Sequence, residues 1–366
     1  MAQFRIKPTL LGTVIALSSV VAAHAAGTVN VYNYNDYIAP DTIANFEKAS
    51  GLKVKYDLFE SVETLQSKLL TGKSGYDVVY PSADYAGKWI QAQIFQPIDK
   101  TKLPNLGNLN PEFLKKLETV DPGNKFLVPY MWGTMAFGIN VDKVKKALGS
   151  EPMPADQWEL VFNPKYTSKL KSCGISFITM TKNLFAMANI YNGKPANDFS
   201  KANVAASLET LKAVRKDVRV FNDSPIDLLA NGDVCVAMAY NGDVYIARDR
   251  AAAAKKPQNV EYMVPAKGTI MWLDVMAIPK DSKNADNAHK WINNILDPKV
   301  VAAISNTVSY ANPNAKATSL VDKKISSDTK IYPAAEALQK LQPLAVIDQP
   351  TQMTLTKAFN QFKTAK

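Results

Sequence analysis

The stretch VNVYNYNDYIAP, residues 29–40, decides the fold, because it reads as a strand running straight into the start of a helix. Val29 to Tyr34 is the strand; Pro40 and Asp41 open a helix that carries Ile43 and Phe46 inward and stops at Gly51. Val54 to Phe59 is the next strand. Val62, Leu65 and Leu69 mark a second helix ending at Gly72, and the strand Asp77-Val78-Val79-Tyr80 follows, breaking at Pro81-Ser82. Such an alternation begins an α/β protein, in which ligands bind beyond the carboxyl ends of the strands. Asp36 and Ser82 fall at two such ends. The first end also sets a carboxylate among several tyrosines, which suits an organic cation.

Upstream of this unit the chain reads as a secretory leader. Arg5 and Lys7 form a positive start, Leu10 to Val21 an apolar stretch, and Ala23-His24-Ala25 a small-x-small cleavage signal, so the mature chain is expected to begin near Ala26. The apolar run falls short of the roughly 20 residues of a membrane span. No cysteine stands at the cleavage site for lipid attachment. The remaining length, about 340 residues, suits two domains rather than one core.

Downstream, Thr134 to Asn140 reads as a strand long enough to pass between domains, with Glu261 to Pro265 as the next crossing. Helices are expected over Val141 to Leu148 and Val204 to Val214. The strand Val234 to Tyr240 ends at Asn241-Gly242-Asp243, again placing an acid and a ring together, and Ile270-Met271-Trp272-Leu273-Asp274 repeats the pairing.

Composition excludes several functions. With 47% hydrophobic and 21% charged residues the chain describes a packed globular protein. Its formal charge of +10 falls to +8 once Arg5 and Lys7 are removed, but the lysines are scattered and no basic run appears, so no nucleic-acid partner is expected. Beyond the leader the single histidine is His289, in a helix-like stretch that reads as surface or half-buried; a Ser-His or Cys-His nucleophile is therefore unsupported. There is no G-x-S-x-G, G-x-G-x-x-G or H-E-x-x-H, and Gly72-Lys73-Ser74 lacks the earlier glycine of a phosphate loop, having Ser67 there instead. No metal site, cofactor or catalytic residue is expected. Cys173 and Cys235 are the only cysteines; export favours one disulfide, with two buried thiols as the alternative.

Five segments carry a family likeness: NYNDYIAPD (33–41), YDVVYPS (76–82), PYMWG (129–133), LANGDVCVA (229–237) and GDVY (242–245). Through them the chain, from about residue 28 to its end, resembles the periplasmic putrescine/spermidine-binding proteins of ABC importers. The resemblance implies a two-lobed α/β fold of the type II periplasmic binding protein kind, with hinge strands and a third crossing near Tyr310. Residues 1–26 would be the leader, 27–136 with 266–309 the first lobe, and 137–265 with 310–366 the second. It also implies the disulfide Cys173–Cys235 and a monomer that hands a polyamine to a permease in the inner membrane. Carried over position by position, the ligand contacts would be Tyr34, Asn35, Asp36, Tyr37, Ser82, Tyr85, Tyr240, Asp243, Trp272, Asp274 and Tyr310. Their chemistry agrees: each ammonium wants a carboxylate, and a ring face adds roughly 0.5 to 2 kcal/mol per cation.

Departures from the family pattern bear on the ligand. Tyr34 replaces a usual Trp and Asn35 a small residue, while Asn183 stands where the family has a Glu that receives one amine. Lys182, beside it, is expected to face solvent. The expected ligand then carries less positive charge at one end than spermidine, as putrescine, another short diamine, or an amine with a neutral or acidic group would. Blander readings stand beside these: Asp36 as a turn residue, Asp243 as a helix opener, Trp272 as core. Rival functions are a receptor for another solute, a sensory ligand-binding protein, or a secreted enzyme. An amino-acid receptor would need an arginine clamp, and Arg219, Arg248 and Arg250 have no evident place in the cleft.

Overall fold

The computed structural model describes Met1 and residues 27–256 and 258–365; the leader expected over residues 1–26 lies, Met1 apart, outside the described residues. Ten strands form one open sheet, comprising β1 (Thr28–Tyr34), β2 (Lys53–Phe59), β3 (Val78–Val79), β4 (Leu127–Asn140), β5 (Ile175–Phe177), β6 (Val220–Phe221), β7 (Val236–Tyr240), β8 (Val260–Met263), β9 (Ile270–Ala277) and β10 (Gln342–Pro343). The order is β2-β1-β3-β9-β4-β7-β5-β6, with β8 beside β4 and β10 beside β9. The opening unit forms as read. β1 pairs in parallel with β2 and β3, and the helices between them span Thr42–Ser50 and Val62–Leu70. Gly51 ends the first of these helices in the left-handed conformation, at φ 71°, which glycine adopts without a Cβ clash.

β4 joins the two lobes. Its Leu127–Met135 portion pairs antiparallel with β9, and Met135–Asn140 pairs with β7 and β8, so one strand starts in the first lobe's sheet and ends in the second's. It is seven residues longer on its N-terminal side than the sequence pattern indicates. All fourteen of its residues are buried, which removes the in-out alternation that reveals a strand. Pro129 adds to the disguise, yet it sits where the register with β9 shifts, a place where a strand tolerates a missing N–H.

Between β8 and β9 the chain passes back to the first lobe. After the helix Pro298–Val308, Ala311 and Asn314 bridge to first-lobe Trp132 and Leu109, whereas Asp328 and Lys330 reach second-lobe Tyr245 and Glu261. The C-terminal helix Gln349–Thr364 packs on the second lobe, where Phe359 and Phe362 meet Phe221. No helix among the described residues is long and apolar enough to cross a membrane.

Cys173 and Cys235 are joined, with Cα atoms 5.4 Å apart, just ahead of β5 and β7, whose strands pair from Ile175 and Val236. The bond closes a loop of sequence separation 62, a constraint that the loop-entropy account values at about 4 kcal/mol. Reduction, or a Cys173→Ser/Cys235→Ser pair, is expected to lower the urea midpoint of the folded protein; identical unfolding curves with and without reductant would show that the bond contributes nothing.

Candidate functional site

The site begins with Asn33, a fully buried polar residue at the end of β1. Its amide donates to the Tyr56 hydroxyl at 2.9 Å and its Oδ1 accepts the Tyr34 N–H at 2.8 Å, which fixes the turn that follows. Tyr130, from β4, donates its hydroxyl to the carbonyl of Tyr37. The turn sends Tyr37 inward and leaves Asn35 and Asp36 exposed, Asp36 at φ 51°. Aspartate tolerates that left-handed conformation better than most residues. Asp36 therefore stands at an exposed turn, and the carboxylate among the inward-facing rings is a different one, Asp274.

Asp274 and Trp272 lie two apart on β9 and so share one face of the sheet. The Tyr37 hydroxyl donates to Asp274 Oδ2 at 2.9 Å, and Ser82, whose backbone bridges to Asp274 just beyond β3, also favours the ionised carboxylate. Burial nevertheless wins over these hydrogen bonds and pushes the Asp274 carboxyl up to about 7. Across the cleft, β7 ends at Tyr240, and the helix Asn241–Ala253 carries Asp243 in its first turn. Loss of hydration pushes Asp243 to about 7 as well. No lysine or arginine counters either shift.

Rings connect the two acids. Tyr34 meets Tyr37 at 5.9 Å between centroids, Tyr37 meets Tyr310 at 6.0 Å, Tyr310 meets Trp272 at 4.9 Å, and Trp272 meets Tyr240 at 6.1 Å, each pair nearly perpendicular. In such an edge-to-face pair each ring keeps at least one face that its partner does not cover, the kind of surface on which a cation or a methylene chain packs. Two glycines make room. A Cβ at Gly133 would come within 2.6 Å of the Trp272 ring, and one at Gly242 would overlap the Tyr310 ring.

Lys182 departs from its expected place in solvent. Only 12% of its side chain is exposed; it forms an ion pair with Asp84 of the opposite lobe, and its ammonium lies 5.5 Å from the centre of the Tyr85 ring. Asn183, the next residue, donates to Met135 Sδ at 3.4 Å and is half-buried. Sequence reading missed Asp84 and Tyr130. Asp84 obeys the same rule as Asp243, being an acid in the first turn of a helix that follows a strand, and that rule could have found it. Tyr130, although within the PYMWG segment, lay in the half of β4 not read as strand.

The arginines are occupied elsewhere. Arg219 donates to the carbonyls of Lys171, Ser172, Cys173 and Asp233, Arg250 pairs with Asp227, and Arg248 with Asp249. His289 is buried rather than at the surface, and its Nε2 accepts the Asp99 N–H at 2.9 Å. Among the described residues no cluster of ligating side chains could hold a metal. What remains is an arrangement able to bind cations: two acids without protein counter-ions, walled by rings.

A two-lobed α/β receptor with its site in the cleft is the class of molecule that fold and geometry define. Residues 41–334 match the bacterial extracellular solute-binding proteins, and the chain belongs to that family. It is 44% identical to the putrescine-binding periplasmic protein PotF of Escherichia coli, over 97% of this chain and 96% of that one. It is 43% identical to the putrescine-binding periplasmic protein SpuD of Pseudomonas aeruginosa, over 99% of each chain. The structure of the spermidine/putrescine ABC transporter substrate-binding protein PotD from Streptococcus pneumoniae is similar, with a TM-score of 0.82 and 25% identity over 93% of this chain and 99% of that one. Its relatives are thus transport receptors rather than enzymes.

Because Tyr310 lies directly on Gly242, Gly242→Ala is expected to displace that ring and to lower stability by about 1 to 3 kcal/mol through overpacking. A changed near-ultraviolet circular dichroism spectrum with an intact far-ultraviolet one is the expected signature. Unaltered near-ultraviolet signal and stability would mean that the ring does not depend on the glycine.

Proposed function

We propose that this protein captures a short diamine of the putrescine type between its lobes in the periplasm and delivers it to an ABC permease, acting as a monomer freed of its leader near residue 26. In this reading the lobes, divided at residues 136, 265 and 309, close on the ligand. The observation that carries it is that Asp243 and Asp274 are withdrawn from water without a protein counter-ion. Carboxylates in that state call for a cation from outside, since an unpaired buried charge is unfavourable. Tyr34, Tyr37, Tyr240, Trp272 and Tyr310 give the methylene chain its walls. Ser82, Tyr85 and Asn183 border the same space, and Asn35 and Asp36 would meet the ligand from the exposed turn. The relatives named for putrescine support the ligand class, and the occupied arginines disfavour a carboxylate ligand.

Calorimetry on refolded, ligand-stripped protein tests this. Putrescine is expected to bind, and Asp274→Ala or Asp243→Ala to weaken it at least a hundredfold; unchanged affinity in both variants removes the reading.

Proton linkage gives an independent check. In the free protein both carboxyls titrate at about 7, so near neutral pH each holds a proton part of the time, whereas a bound ammonium requires the ionised form. Affinity is therefore expected to rise with pH from about 5.5 to 8, by up to tenfold per unit for each carboxyl below its pKa, and then to level off. About one proton should be released per ligand at pH 7, read from binding enthalpies in buffers of different ionisation heat. The ligand-free fold behaves oppositely. Its raised carboxyls retain protons that the unfolded chain loses from about pH 4 upward, so their contribution to stability declines between about pH 4 and 7.

A further inference from the structure

Lys182 stands in surroundings usually offered to a ligand. It is the second residue of the helix Thr181–Tyr191, where the helix dipole disfavours a cation. There its ammonium meets the Asp84 carboxylate, the Tyr85 ring at 5.5 Å and the Ala345 carbonyl at 3.4 Å. A carboxylate, a ring face and a carbonyl are also what a free alkylammonium group would seek. Asp84 and Tyr85 come two and three residues after Ser82, whose backbone bridges to Asp274, so this station adjoins the diamine site. Asp84 is near enough that its charge helps raise Asp274, Tyr34 and Tyr240.

Charge counting then becomes specific. Asp84, Asp243 and Asp274 are three carboxylates sheltered in the cleft, Asp36 and Glu63 being exposed to water, and Lys182 satisfies one of the three. Two remain for the ligand, which matches a diammonium ion. We infer that Lys182 is a built-in ammonium that closes the Tyr85 end of the cleft, withholding Asp84 and so excluding amines that carry a third ammonium. Asn183 leaves the neighbouring position neutral, so no other acid of that helix turn compensates. This inference rests on the diamine reading above and specifies where the ligand's charge must end.

Calorimetry with putrescine and spermidine on ligand-stripped protein tests it. Lys182→Ala is expected to raise the spermidine-to-putrescine affinity ratio at least tenfold, because it bares Asp84 and opens space beside Tyr85. The gain is expected to vanish in the Asp84→Ala/Lys182→Ala double variant. A ratio that stays within threefold of wild type in Lys182→Ala, or a gain that survives in the double variant, overturns the inference while putrescine binding by the wild type leaves the diamine function standing. Wild-type protein that binds neither amine overturns both. If Lys182→Ala does not fold, judged by circular dichroism, Lys182→Met carries the same comparison: it removes the charge and keeps most of the stem's volume, and a ratio that stays within threefold there overturns the inference equally.

Discussion

Two carboxylates kept from water without a protein cation are the constraint on which the cleft depends. Desolvation alone would make Asp243 and Asp274 poor occupants of a closed interface, and their raised titration records that cost. The fold offsets part of it. The helices Ala83–Gln91, Asn241–Ala253 and Thr181–Tyr191 all begin at strand ends bordering the cleft, and their N-termini present partial positive charge there. Asp84 and Asp243 occupy first turns, where that charge favours them. Asp274 has no helix terminus of its own and relies chiefly on the Tyr37 hydroxyl. An α/β cleft is by default suited to anions. Acids placed in the first turns of its helices reverse that preference.

The shared strand β4 gives the two lobes a common reference. Gly133 faces Trp272 across the ladder with β9, and Thr134 donates its N–H to the Asn241 side chain at 3.3 Å, so the aromatic wall and the start of the Asp243 helix are both indexed to adjacent residues of one strand. Tyr130, further back on the same strand, holds the carbonyl of Tyr37. Displacing β4 would thus move the Asp243 and Asp274 ends together. Glycine at 133 is needed because the Trp272 ring lies against the backbone there.

Much of this was legible in the sequence, for identifiable reasons. The unit Val29 to Tyr80 announced itself through alternating segments closed by Gly51 and Gly72, and β1, β2 and their helices formed with nearly the expected bounds. The rule of an acid beside a ring at a strand end located Asp243, Trp272 and Asp274. It could not tell which way the Asp36 turn would face, since that depends on Asn33 bonding Tyr56 from the neighbouring strand. The first half of β4 stayed hidden because full burial erases periodicity. Lys182 was misread for a different reason: a lysine's surroundings are decided by its partner, and Asp84 lies 98 residues away on the other lobe.

Net charge, by contrast, carried almost nothing about the ligand. The basic balance of the whole chain comes from scattered lysines, and exposed charges are screened within about 8 to 10 Å at ordinary salt. Among the charged groups sheltered inside the cleft the balance is three acids, Asp84, Asp243 and Asp274, to one lysine, Lys182. Lys182 and Asp84 pair across the two lobes, as the ligand's own contacts would on the reading proposed above. If Lys182 acts as inferred above, its charge reduces what the ligand must supply at that end of the cleft. On the same reading, the acids left unpaired at the other end would make closure depend on a cation from outside. A receptor built this way would couple the number of charges on its ligand to the geometry of its own closing, with one lysine on the first turn of one helix setting that number.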